Sequence, residues 1–425
     1  MQIRSGEKLY RVDLYVLGMM SVSWYVNGGM TMKIGHSYWG YLGDTKYDKD
    51  GKMASTPDGN AIYSWSIIYQ LMKDGHQVYQ IMPDRDYVGL AKEGSGLFSW
   101  CTNQRMKALT EMVKLYKVYT DWSTMTKTDL FDIWDNKGLN ECEVILHEWR
   151  MFIPGRNDDR AIQPDFFIQE RLIEYCARHG ITLIIFDLDY KITEVEFNRL
   201  LAINSKTYLF ELGYKWGQTS VDNNFYHVEI PFSFDYINEF PLERKDNQLH
   251  IDNLVYVGNR YERDWCIDKY IPTEMDGVTV YGNWLESGRD SADKWPNIEF
   301  GPRVQTADMP EIYQNSLATV LLAKKEYLEH SFMTARIIEA VFYGCVPLFI
   351  EEYGDACIKK YAGIYSQDLT VSSKSDIINI VYYLRYNDSY RRNVLSYLRD
   401  HLKFMDVKHF TDKLYYVVER EKKNG

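Results

Sequence analysis

Residues 331–350 read SFMTARIIEAVFYGCVPLFI. Up to Gly344 the apolar side chains recur at helical spacing, and Gly344 is a natural C-terminal stop for a helix. From Cys345 to Ile350 the run is short, apolar throughout and of strand length. A helix followed at once by a strand that is apolar on both faces is one half-turn of a doubly wound parallel sheet, where helices cover both sides. The alternation continues outward. Upstream come predicted strands at 253–259 (NLVYVGN) and 277–283 (GVTVYGN), a helix MPEIYQNSL and a strand ATVLLA at 318–323. Downstream, helices are expected over 374–386 and 387–404, with a last segment over 407–423.

A second series occupies the N-terminal half. MKIGHSYWG (32–40) predicts a first strand, AIYSWSIIYQLMKDG (61–75) a helix with Ile62, Trp65, Ile68 and Leu71 on one face, and HQVYQIMP (76–83) a second strand. Together they make a βαβ opening. CEVILHEW (142–149), ITLIIFDLD (181–189), KTYLFEL (206–212) and FYHVEIPF (225–232) predict further strands. DFFIQERLIEYCARHG predicts a helix capped by Asp165 and ended by Gly180. The polar, aperiodic stretch 238–253 reads as a linker. The expected organisation is α/β: an N-terminal extension over 1–31, a Rossmann-like lobe over 32–240, a linker over 241–253, a second lobe over 254–405 and a C-terminal segment over 406–425.

The apolar stretch 10–26 (YRVDLYVLGMMSVSWYV) is interrupted by Asp13 and is short for a bilayer span. Gly28-Gly29-Met30-Thr31-Met32-Lys33 after it resembles a fresh start running into the first strand. The expectation is an upstream extension from a misplaced start, or an added strand, rather than a targeting device.

With 425 residues, 45% of them hydrophobic and 15% aromatic, the chain has material for two ordinary cores. The net charge of -11 argues against holding nucleic acid by a broad basic surface, though a local basic groove remains compatible with it. Six cysteines are scattered without a C-x-x-C pair or histidine spacing. They predict buried free thiols, no zinc site and a reducing compartment.

Arg336 and Glu339 lie three apart on one helix and so share a face. A guanidinium matches phosphate oxygens, a carboxylate accepts from ribose hydroxyls, and a helix N-terminus favours anions. On spacing alone a surface ion pair is the commoner outcome; the strand–helix–strand context, with Glu351 and Glu352 following, favours a ligand. Strand ends supply the other candidates, because ligands of doubly wound sheets sit outside the carboxyl ends of strands. Asp187 and Asp189 end one predicted strand. Glu148, Trp149 and Arg150 end another: the charged pair could orient a substrate and the indole could stack on sugar or base, with a structural ion pair beside a packed Trp as the alternative.

The run from Leu254 to Gly354, through VYVGNRYERD, VTVYGN, KWPNIEFGPRVQTADMPEIYQNSLATVLLA and SFMTARIIEAVFYGCVPLFIEEY, resembles the β-glucosyltransferases of T-even bacteriophages. Those enzymes transfer glucose from UDP-glucose to 5-hydroxymethylcytosine in DNA. The resemblance implies the GT-B fold, two Rossmann-like lobes with a cleft between them. It implies that Gly258, Asn259, Arg260 and Arg263 hold the diphosphate, although the arginine spacing differs and Asn259 stands where the family has Ser. Val304 and Gln305 would read uracil through their backbone, and Arg336 and Glu339 would complete the UDP-sugar site. Asn60 falls where the family has an acidic sugar-contacting residue, which leaves glucose, arabinose or another sugar open.

The family's base is a strand-end aspartate, implying Asp189 with Asp187 as the alternative; a hydroxymethyl oxygen attacking an anomeric carbon needs a carboxylate to take its proton. Arg156 and Lys191 are the candidates for DNA phosphates, and the target base must leave the stack. The resemblance further implies a monomer without membrane association in the cytoplasm of an infected bacterium, modifying phage DNA against restriction. No tightly bound cofactor or metal is expected, with Mg²⁺ a stimulant only. Two other readings stand: a transferase of this fold with a small-molecule, glycan or protein acceptor, and a non-catalytic nucleotide-sugar or DNA-binding protein.

Overall fold

The structure, a computed structural model, describes residues 31–37, 46–47, 53–55, 61–83, 115–120, 127–149, 164–188, 192–212, 224–237, 252–285, 290–304, 308–363 and 366–424. The expected extension falls almost wholly outside them, as do residues 241–251 of the expected linker.

Among the described residues, thirteen strands fall into two parallel sheets. The first contains β1 (Lys33–Ser37), β4 (Gln77–Pro83), β5 (Leu115–Thr120), β6 (Val144–Glu148), β7 (Thr182–Asp187), β8 (Thr207–Leu212) and β9 (Phe225–Val228), ordered β5-β4-β1-β6-β7-β8-β9. The second contains β10 (Asp252–Val257), β11 (Val278–Tyr281), β12 (Glu299–Gly301), β13 (Ser316–Leu321), β14 (Val346–Ile350) and β15 (Thr370–Val371), ordered β12-β11-β10-β13-β14-β15. A small antiparallel pair, β2 (Lys46–Tyr47) and β3 (Met53–Ser55), stands apart.

Both sheets start in the middle, wind to one edge, then return and wind to the other. The reversal falls between β1 and β6 in the first sheet and between β10 and β13 in the second. These switch points leave a crevice at the carboxyl ends, because the two connecting helices depart on opposite faces.

Every residue of β6, β7, β8, β13 and β14 is buried, as strands covered on both faces require. Helix Ala61–Lys73 ends on schedule, with Gly75 at φ 88° beyond it. Three expectations shift. The helix expected over 331–344 is Arg336–Tyr343, so Arg336 occupies its first turn; Ser331, at φ 50°, lies in the turn before it. The helix of Asp165 begins at Pro164, so Asp165 sits inside the first turn instead of capping it; proline suits that position because its missing N–H is not needed there. The strand expected over 225–232 stops at Val228, and Phe232 instead bridges to Asp406.

The last helix, Val407–Asn424, returns to the first sheet. Phe410 sets its ring 5.0 Å from Phe186 and 5.3 Å from Phe210. Tyr415 donates to Asp74 at 2.6 Å, and Lys422 pairs with Glu143. Cys142, Cys176, Cys266, Cys345 and Cys357 are free and buried, and burial pushes the Cys142 thiol up to about 12; Cys101 lies outside the described residues.

Candidate functional site

The crevice of the second sheet is bounded by the residues that follow β10 and by the helix Arg336–Tyr343. Arg336 Nε donates to the Val257 carbonyl at the end of β10, which fixes the guanidinium across the switch point. Gly258 makes room for this: a Cβ there would stand 3.1 Å from Arg336 Nε and 2.4 Å from the Tyr256 hydroxyl. The Gly258 carbonyl accepts from the Trp284 indole at 2.7 Å, and its N–H donates to Tyr281 O at 2.9 Å. Gly258 is thereby locked at a point of closest approach.

Glu339 is 7% exposed and points to the same face one turn on. Burial raises its carboxyl above the usual range, with the Arg336 charge opposing. Burial works against the Arg336 charge, but Tyr256, Glu339, Tyr313 and Tyr63 hold it firmly protonated. Among the described residues no carboxylate lies within ion-pair distance of Arg336, so the two residues are not a surface salt bridge. Both are drawn into the protein without a direct ion pair between them, an arrangement that costs desolvation free energy. The hydroxyls of Tyr256, Tyr313 and Thr334 are buried around them without hydrogen-bond partners among the described residues.

The other two arginines are engaged locally. Arg260 donates to Asp264 at 2.6 and 2.7 Å and to Asp290 at 3.0 Å, lies over the Trp295 ring, and donates its backbone N–H to Asn283 Oδ1 at 2.8 Å. Its charge holds Asp264 and Asp290 below the usual carboxylate range. Arg263 is buried and its Nη1 donates to the carbonyls of Asn259 and Tyr261, both at 3.1 Å. It therefore shapes the loop after Gly258, where Glu262 takes φ 55°. Val304 is half-buried against the core; Gln305 is outside the described residues.

At the first sheet, Asp187 ends β7 fully buried, and its Oδ2 accepts from the Ile192 N–H at 2.8 Å. That bond ties the end of β7 to Ile192; Asp189 and Lys191 fall between them in the sequence. Those two residues, with Asn60, Arg150 and Arg156, lie outside the described residues. Glu211 stands opposite Asp187 on β8, also fully buried. Glu148 is buried at the end of β6. Trp149 is buried in the core, its backbone N–H on Phe186 O at 2.8 Å and its indole N–H without a partner among the described residues.

At the switch point of this sheet, His147 Nδ1 lies 3.1 Å from Ser37 Oγ and Nε2 lies 2.9 Å from Gln169 Oε1. The amide oxygen can only accept, so Nε2 carries the proton and Ser37 donates to Nδ1. Burial lowers His147 to about 4, and burial followed by the His147 charge lowers His36 to about 3.

Arg336, Glu339 and Gly258, singled out in the sequence, lie together here, while the hydroxyls around them carried no signal in it. Nothing in the sequence spacing sets Tyr256 or Tyr313 apart from other core aromatics. Among the described residues no group of three His, Cys, Asp or Glu side chains is placed to hold a metal ion, and no helix is long and apolar enough to cross a membrane.

No protein-family model matches the chain and no curated protein matches it in sequence. In fold it is similar to Anabaena Alr3699/HepE, solved in complex with UDP-glucose, at 10% identity and a TM-score of 0.51, covering 92% of this chain and 100% of that one. A mutant of T4 phage BGT in complex with UDP-glucose aligns at 17% identity and a TM-score of 0.49, over 92% of this chain and 99% of that one. Two doubly wound parallel sheets in succession, and a likeness that spans both, give this chain the GT-B fold.

Proposed function

We propose that the protein is a glycosyltransferase that moves a sugar from a UDP-sugar to the hydroxymethyl group of 5-hydroxymethylcytosine in DNA, with inversion at the anomeric carbon. The observation that carries the nucleotide-sugar half is the pair Arg336 and Glu339, set at a helix N-terminus over the Gly258 turn at the switch point of the second sheet. Arg336 and the helix amides neutralise the diphosphate, and Glu339 accepts from the ribose.

The acceptor half rests on the resemblance of residues 254–354 to the phage enzymes and on the strand-end acids. Asp189 takes the proton of the hydroxymethyl group as its oxygen attacks C1. The bond from C1 to the phosphate oxygen breaks, and its electron pair leaves on UDP. Asp187, whose Oδ2 accepts from the Ile192 N–H, is the alternative base.

The deciding experiment incubates the protein with hydroxymethylcytosine duplex DNA and a panel of UDP-sugars including glucose and arabinose, reading UDP release and base mass. A sugar-sized gain on the base with one donor is expected. UDP release without a change in the DNA moves the acceptor to a small molecule, glycan or protein, the reading that the net charge of -11 favours. Absence of both overturns transfer.

A further inference from the structure

Tyr256 lies on β10 two residues before Gly258, so the two point to the same face of the strand. Its side chain runs toward the space that Gly258 leaves empty. A Cβ at position 258 would fall 2.4 Å from the Tyr256 hydroxyl oxygen and 2.8 Å from its Cζ, and the same point is 3.1 Å from Arg336 Nε. The phenol therefore ends beside the guanidinium at the switch point. Tyr256 is 1% exposed, and its hydroxyl has no hydrogen-bond partner among the described residues, although a buried tyrosine hydroxyl ordinarily finds one. The ring is held in place: Trp284 meets it edge-on at 6.3 Å and donates its indole N–H to Gly258 O at 2.7 Å. The charges nearby are unmatched as well. Buried Arg263 reaches only the carbonyls of Asn259 and Tyr261, its Nε meets nothing among the described residues, and Arg336 reaches the carbonyl of Val257. A hydroxyl without an acceptor and guanidiniums without a carboxylate lack the same thing, an anionic oxygen at Gly258.

We propose that Tyr256 is a hydrogen-bond donor to the diphosphate of the sugar nucleotide, acting on the phosphate oxygen that Arg336 neutralises. That oxygen comes in at Gly258, where no side chain stands between the phenol and the ligand. Glycine is needed there for the hydroxyl as much as for the backbone, since any side chain would take the hydroxyl's place. This rests on reading the site as one for a UDP-sugar.

The test is Tyr256→Phe, which keeps the ring against Trp284 and removes only the hydroxyl, with UDP and uridine affinities measured by calorimetry and ligand-observed NMR. Losing a hydrogen bond to a charged group should weaken UDP about tenfold or more and leave uridine unchanged. The melting temperature of the empty protein should hold or rise, because a buried hydroxyl without a partner contributes nothing to it. UDP binding as tight as before overturns the proposal, and so do equal losses for UDP and uridine, which would point to packing alone. A lowered melting temperature also overturns it, since the hydroxyl would then have a partner inside the empty protein. If the unmodified protein binds UDP no more tightly than uridine, the nucleotide-sugar reading falls before any substitution is made, and this proposal with it.

Discussion

Gly258 shows how one absent methyl group sets a site. An alanine there would drive its Cβ to 2.4 Å from the Tyr256 hydroxyl and 3.1 Å from Arg336 Nε. Neither neighbour can yield, since Arg336 is tied to Val257 O and Tyr256 is buried on β10. Gly258→Ala should cost about 1–3 kcal/mol of stability by overpacking and should weaken UDP-sugar binding as Arg336 is displaced. Chemical denaturation and a donor titration check the two effects separately. Glu339→Gln keeps the shape but removes the charge. The KM for UDP-sugar should rise about tenfold, while folding stability holds or increases, because a buried carboxyl raised above its usual range is itself a cost. Unchanged KM would mean that Glu339 does not meet the ribose.

At the scale of elements, the helix Arg336–Tyr343 is stopped at its C-terminal end by local chemistry. It ends on Gly344 at φ 88°, with open space around the α-carbon. Gly344→Ala should therefore cost roughly 1–2 kcal/mol through backbone strain alone, measurable by denaturation, and a stabilising effect would show that the strain is absent. The β1 and β6 ends, by contrast, are joined by residues distant in sequence, Ser37, His147 and Gln169.

His147 and His36 titrate near 4 and 3 in the folded protein, but near 6.5 once unfolded. Between those values the unfolded chain binds more protons, so their contribution to stability is complete above about pH 6.5 and is lost as pH falls. Each histidine adds a slope of up to about 1.4 kcal/mol per pH unit. Denaturation at pH 7, 6 and 5 should show the decline, and His147→Gln should flatten it.

Across the whole molecule, the chain closes on itself. After building the second sheet it returns through Phe232 and Asp406 to lay the helix Val407–Asn424 on the first, with Phe410 among the rings of Phe186 and Phe210. The first sheet thus depends on the last residues of the sequence to complete its core. Phe410→Ala should destabilise the protein by about 3–5 kcal/mol, and a single unfolding transition is expected to move as one. Loss confined to part of a split transition would show that the two sheets unfold separately.

Two doubly wound lobes were legible in the sequence because each rests on a local pattern: apolar runs of strand length, helices with one apolar face, and glycines at their ends. Arg336, Glu339 and Gly258 were legible for the same reason, being set by spacing and by resemblance within one continuous stretch. What the tertiary structure decided is everything that joins distant residues. It commits Arg260 to Asp290, buries Trp149 and sets His147 between Ser37 and Gln169. Periodicity reports which face of an element is apolar. It carries no information on which other element that face meets, and a hydroxyl or guanidinium acquires its role only from the partner that packing supplies.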